Sequence, residues 1–175
     1  IAIKYITDRR GRVIESNEPE SERVMEPQTA FLLTSMLEDV VNYGTGRRVK
    51  ALGRPVAGKT GTTNDYKDAW FLGYTADILT GVWVGFDDSK PLGPEETGAR
   101  AAAPVWLDYM QAVSDTEPRA FQPPEGIVGR FIDPQTGLLA TQWTAGPLFE
   151  YFKAGTEPTE SSPNIWKVKE QDTIF

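Results

Sequence analysis

The chain of 175 residues contains no histidine and no cysteine. Without histidine there is no His-based triad, no HExxH zinc site and no imidazole ligand of any kind. Without cysteine there is no thiol nucleophile, zinc ribbon, iron–sulfur cluster or disulfide, and the redox compartment goes unmarked. No apolar run approaches the roughly 18 residues that would cross a bilayer. The chain starts Ile1-Ala2-Ile3, with no initiator Met, signal peptide or transit peptide, and reads as part of a longer protein. The nucleophiles that remain are Ser, Thr, Lys, Tyr and the carboxylates.

What is present is globular: 39% hydrophobic and 25% charged, with 5 Trp, 6 Tyr and 8 Phe. The length fits one domain, or one domain and a tail. Eighteen basic and 25 acidic side chains give a formal charge of −7, which disfavours a nucleic-acid partner. The charge is uneven, because Arg47, Arg48, Lys50, Arg54, Lys59 and Lys67 face only one acid, Asp65, in their stretch. Such a segment can attract an anionic ligand, although solvated surface charge is the commoner meaning.

Periodicity divides the chain. Residues 1–16 carry a hairpin signal around Asp8–Gly11, and residues 17–27, with Pro19 and Pro27, read as a loop. Apolar residues from Gln28 to Tyr43 recur at helical spacing until Gly44-Thr45-Gly46 stops them. A basic loop, 47–55, leads to three strand-like runs: Val56–Thr63, Ala69–Thr75 and Leu79–Phe86. Only three residues separate the last two, so that pair is antiparallel, since a parallel crossover needs a dozen or more. Ala101–Val113 is a second helix with Pro104 in its first turn. A hairpin follows, Ile127–Ile132 with Leu138–Thr141, turned at Asp133–Gly137. Trp70, Phe71, Trp83 and Trp106 are expected in the core, and Asp87 and Asp88 in a strand-end turn. The stretch beyond Gly155, rich in Pro, Ser, Thr and Glu, is expected to be a loose tail.

Two motifs share one lysine. Residues 53–60, Gly-Arg-Pro-Val-Ala-Gly-Lys-Thr, satisfy the phosphate-binding pattern GxxxxGK[ST], which makes a P-loop nucleotide-binding protein one reading. A P-loop needs a helix starting at its Gly-Lys-Thr, yet Thr60-Gly61-Thr62-Thr63-Asn64-Asp65 are poor helix formers. The other match is Lys59-Thr60-Gly61, the K-T-G signature of penicillin-binding proteins and class A β-lactamases. On a strand, Lys59 and Gly61 share one face and Thr60 and Thr62 the other, unless a twist or bulge intervenes. Glycine lets a substrate lie against the strand, lysine brings positive charge, and Thr hydroxyls suit a carboxylate.

The flanking blocks carry a resemblance. They are Val41–Gly46 (VNYGTG), Ala57–Thr63 (AGKTGTT), Asp68–Thr75 (DAWFLGYT), Val82–Asp88 (VWVGFDD), Thr97–Trp106 (TGARAAAPVW) and Phe121–Ile127 (FQPPEGI). In this order they resemble the C-terminal part of the transpeptidase domain of class A, bifunctional penicillin-binding proteins, over nearly the whole chain. The resemblance implies an α+β fold, an antiparallel sheet flanked by helices on both faces, here incomplete, with the Lys59 strand at the edge of the cleft. Residues 1–153 would belong to that domain and 154–175 would form the tail.

The family's nucleophile sits in S-x-x-K, which places Lys one helical turn from Ser. None of the seven serines here, Ser16, Ser21, Ser35, Ser89, Ser114, Ser161 and Ser162, has Lys three residues later. The family's S-x-N should precede KTG, and Ser162-Pro163-Asn164 matches its letters only at the wrong end. The expectation is a half-site that is inactive alone, within a D,D-transpeptidase that cross-links stem peptides and is acylated by β-lactams. The resemblance assigns catalytic roles to Lys59 and Thr62, the latter through its backbone N–H as an oxyanion donor. It assigns substrate contacts to Thr60, Gly61, Thr62 and Thr63, and Thr63, Asn64 and Asp65, in the loop after the motif, are expected at the cleft rim. It implies no cofactor or metal. The partners it implies are peptidoglycan stem peptides, β-lactams, and the upstream part of the same protein or a second copy. It also implies the extracytoplasmic face of the bacterial inner membrane, with the anchor elsewhere. A third reading is a non-catalytic interaction module.

Overall fold

The computed structural model describes residues 2–19, 22–114 and 117–163. Strands β1 (Tyr5–Thr7) and β2 (Val13–Ser16) form an antiparallel ribbon in which every residue is exposed. Helix α1 (Pro27–Asn42) begins with Pro at its first turn, where a missing N–H costs nothing. It ends where the N–H groups of Tyr43 and Gly44 turn back to the carbonyls of Asp39 and Val40. The central sheet is antiparallel in the order β3 (Ala57–Thr62), β4 (Asp68–Tyr74), β5 (Leu79–Gly85). A π-helical turn (Gly98–Ala102) runs into α2 (Ala103–Val113), which has Pro104 in its first turn. Strands β6 (Ile127–Ile132) and β7 (Leu148–Lys153) close the described chain as a second antiparallel pair.

One core joins these parts. Val41 of α1, Val49, Val56, Ala69 and Phe71 of β4, and Ala102, Ala103, Trp106 and Met110 of the second helical segment pack together. Phe71 and Trp106 meet edge to face, their rings 5.2 Å apart. The buried Trp106 indole N–H is shared between the carbonyls of Thr80 (3.0 Å) and Gly73 (3.3 Å). It therefore satisfies a donor that burial would otherwise leave costly.

Several expectations are corrected. The basic segment is no loop: Arg47–Leu52 is a 3-10 helix that buries Val49 completely. Arg54 is partly buried, and its Nη2 donates to the carbonyl of Ser114 at 3.0 Å. Trp70 and Trp83 are not core residues. They face each other across β4 and β5 with more than two-fifths of their surface exposed. The partner of β6 is β7, in register from Ile127↔Lys153 to Ile132↔Leu148, whereas residues 138–141 add only a single bridge, Ile132↔Leu139. An aromatic stack makes the difference, because Phe131, Phe149, Tyr151 and Phe31 of α1 follow one another edge to face.

Most of the expected tail, residues 164–175, lies outside the described residues. Before it, Ser162 is buried and its hydroxyl donates to the carboxylate of Asp133 in the turn after β6. That bond, with the Gln135 N–H, holds the Asp133 carboxyl below the usual carboxylate range. Among the described residues no helix is long and apolar enough to cross a membrane.

Candidate functional site

Strand β3 carries Lys59-Thr60-Gly61-Thr62 at the edge of the central sheet, bonded among the described strands to β4 alone. Its pairing runs without interruption from Ala57↔Tyr74 to Thr62↔Ala69. There is no bulge, so alternation is strict. Lys59 and Gly61 stand opposite Leu72 and Trp70 on the exposed face, while Thr60 and Thr62 stand opposite Phe71 and Ala69 on the core face.

The two sets meet at the strand's free edge. The Thr63 N–H donates to the Asp68 carbonyl at 3.0 Å, toward β4. Backbone groups of successive residues alternate in direction, so those of Thr62 and Thr60 point away from β4, into the open edge. The Lys59 ammonium lies on that edge too, donating to the Thr60 carbonyl at 2.8 Å. An exposed lysine head and an outward amide at Thr62 thus share one unpaired rim, with the hydroxyls of Thr60 and Thr62 behind it on the other face. This rim can accept an added peptide strand, and it presents donors to an anion.

Each hydroxyl is held from behind. The Gly98 N–H donates to Thr62 Oγ1 at 3.1 Å. Gly98 sits so close to the strand that an added Cβ would lie 2.2 Å from the Trp70 carbonyl oxygen and 2.6 Å from that of Gly61. Only glycine permits that approach. Thr60 Oγ1 lies 2.8 Å from Thr45 Oγ1, in the turn after α1.

Thr63 is exposed beside the rim and is tied to the scaffold. Its hydroxyl donates to Asp68 Oδ2 (3.1 Å) and accepts from the Asp68 N–H (2.8 Å). Asp68 Oδ1 in turn accepts from the Trp83 indole at 2.9 Å, which explains why Trp83 stays at the surface. Asn64–Tyr66 form a short 3-10 turn in which Asp65 and Tyr66 both adopt left-handed backbone. Thr45 and Gly98 were not among the expected site residues. Their signal was present in the VNYGTG and TGARAAAPVW blocks, but no spacing rule ties those blocks to the strand.

The phosphate-binding reading is overturned. Gly58, Lys59 and Thr60 continue straight along β3, and the next helical residues are the three of a 3-10 turn. Among the described residues no helix N-terminus stands behind the Gly-Lys-Thr to receive a phosphate.

The fold and this strand define a class. Residues 2–111 match the penicillin binding protein transpeptidase domain, and residues 123–166 match the C-terminal domain of penicillin-binding protein 1A. The chain belongs to the penicillin-binding protein transpeptidase family. It is 49% identical over 146 residues to penicillin-binding protein 1A of Pseudomonas aeruginosa, a match covering 82% of this chain and 18% of that protein. It is 46% identical over 158 residues to penicillin-binding protein 1A of Aquifex aeolicus, covering 89% of this chain and 22% of that one. The crystal structure of penicillin-binding protein 1A from Haemophilus influenzae superposes with a TM-score of 0.78 at 34% identity, over 92% of this chain and 30% of that structure. The chain therefore spans about a fifth of the length of these curated relatives.

Proposed function

We propose that this chain supplies the substrate-binding strand of a D,D-transpeptidase that cross-links peptidoglycan and is acylated by β-lactams. The observation that carries this reading is the unpaired edge of β3, where the Lys59 head and the outward N–H of Thr62 share one rim. A stem peptide ending in D-Ala-D-Ala adds along that edge, with Gly61 leaving room beside it. The terminal carboxylate is held by the hydroxyls of Thr60 and Thr62, and Lys59 supplies positive field.

Serine Oγ attacks the carbonyl of the penultimate D-Ala and loses its proton to the neighbouring lysine of S-x-x-K. The peptide C–N bond breaks, and the terminal D-Ala leaves with a proton on its amine. An acceptor amine then displaces the serine from the ester. The Thr62 N–H stabilises the oxyanion, a contribution of about 3–4 kcal/mol for comparable donors. The nucleophile belongs to sequence outside these residues, because no serine here has Lys three positions on. Such a reaction takes place on the extracytoplasmic side of the membrane, where its substrate lies.

Fluorescent penicillin, read by intact mass, tests this. Label on the full-length protein and none on the 175-residue chain is the expected result. Label on a serine of this chain overturns the half-site reading, and label on neither overturns the transpeptidase reading.

A further inference from the structure

The turn between α1 and the 3-10 helix reaches the site through one side chain. Gly44 and Gly46 press against the last turn of α1, where an added Cβ would come within 3.0 and 3.1 Å of the Val40 carbonyl oxygen. The Gly46 N–H donates to that same carbonyl at 2.9 Å. Thr45, between them, is carried outward to β3, and its hydroxyl stands 2.8 Å from that of Thr60, fifteen residues later.

We propose that Thr45 is a positioning residue for the carboxylate of the ligand, acting through Thr60. This rests on the function proposed above. Two hydroxyls in contact own two protons, and their shared hydrogen bond uses one. The other must point elsewhere. When Thr45 donates, Thr60 accepts and keeps its own proton for the ligand. When Thr60 donates, the Thr45 proton is the one left over. Only the first arrangement leaves Thr60 a donor for a carboxylate, and there the Thr45 proton occupies one Thr60 lone pair and so fixes the direction of the Thr60 hydroxyl. The Gly98 N–H does the same for Thr62, occupying a lone pair of its oxygen and leaving its proton available. The two threonines are thus paired donors, each backed by a different element.

The test uses the full-length protein with benzylpenicillin and its methyl ester, measuring the second-order rate of serine acylation. Thr45→Val should slow acylation by benzylpenicillin about tenfold, the order expected for one charge-assisted hydrogen bond. Thr45→Ser should stay within about twofold of the wild type, since it keeps the hydroxyl. The methyl ester has no carboxylate, so wild type and Thr45→Val should acylate with it at rates within about twofold of each other. Thr45→Ala provides a second removal of the hydroxyl should the valine variant not fold. A wild-type rate in Thr45→Val, or an equal loss with acid and ester, overturns the proposal. Thr60→Val separates the two levels. If it slows acylation while Thr45→Val does not, only the role of Thr45 fails. If the wild type is not acylated at all, the transpeptidase reading fails and takes this proposal with it.

Discussion

At the residue scale, the site depends on how closely backbone approaches backbone. Gly98 lies against the Gly61–Trp70 pair with no space for a methyl group. A Gly98→Ala substitution should therefore push the π-helical turn off β3, and overpacking of this kind costs about 1–3 kcal/mol. It should also move the amide that orients Thr62. Urea denaturation of the full-length protein checks the first effect, and a slower penicillin acylation rate checks the second. A variant with wild-type stability and rate would show that the turn does not brace the strand. Lys59 was legible as a single letter in a motif, whereas Gly98 was not, because its importance lies in contacts with residues about 30 to 40 positions earlier.

At the element scale, the interface between the β6–β7 hairpin and α1 responds to pH. The β6–β7 hairpin docks on α1 through Phe31 and Tyr151, 4.9 Å apart edge to face. Beside that contact, Glu150 of β7 faces Asp39 of α1. Burial first, and then the Asp39 charge, raise the Glu150 carboxyl above its ordinary 4.5. Burial raises Asp39 as well, and burial with the Asp39 charge raises Glu38. A raised folded-state pKa means the folded form holds its proton more tightly than the unfolded form. Stability then falls as pH rises from about 4.5 through the raised value. Glu150→Gln removes the penalty, so its melting temperature should exceed the wild type's at pH 7–8, with the gain disappearing near pH 4. A gain independent of pH would point to packing instead of charge. This interface was not visible in the sequence, which suggested residues 138–141 as the partner of β6. Alternation and turn residues propose a neighbour, but the Phe131–Phe149–Tyr151 stack selects one farther along the chain.

At the scale of the whole molecule, the described chain leaves much apolar surface in water. Trp70, Leu72 and Trp83 are exposed on one face of the central sheet, and Ile3, Tyr5, Ile6, Val13 and Ile14 on the β1–β2 ribbon. The free edge of β3 adds unpaired backbone to the same molecule. Contiguous patches and open edges of this kind drive association. The 175-residue chain in isolation should thus self-associate with increasing concentration, as read by light scattering behind a sizing column. A monodisperse monomer at every concentration would count against an uncovered face.

What the sequence alone determined is the local chemistry. The short link between the second and third strand-like runs compels an antiparallel pair, the Gly-Thr-rich run makes Lys59–Thr62 a strand, and the serine spacings leave this stretch without its own S-x-x-K. Each follows from chain geometry over a few residues. The tertiary structure alone decided which surfaces meet. It buried Trp106 and Phe71 but left Trp70 and Trp83 outside, because strand register assigns faces and α2 covers only one of them. It also brought Thr45 to Thr60 and Gly98 to Thr62, contacts between segments distant in sequence, and no local pattern encodes where such segments pack.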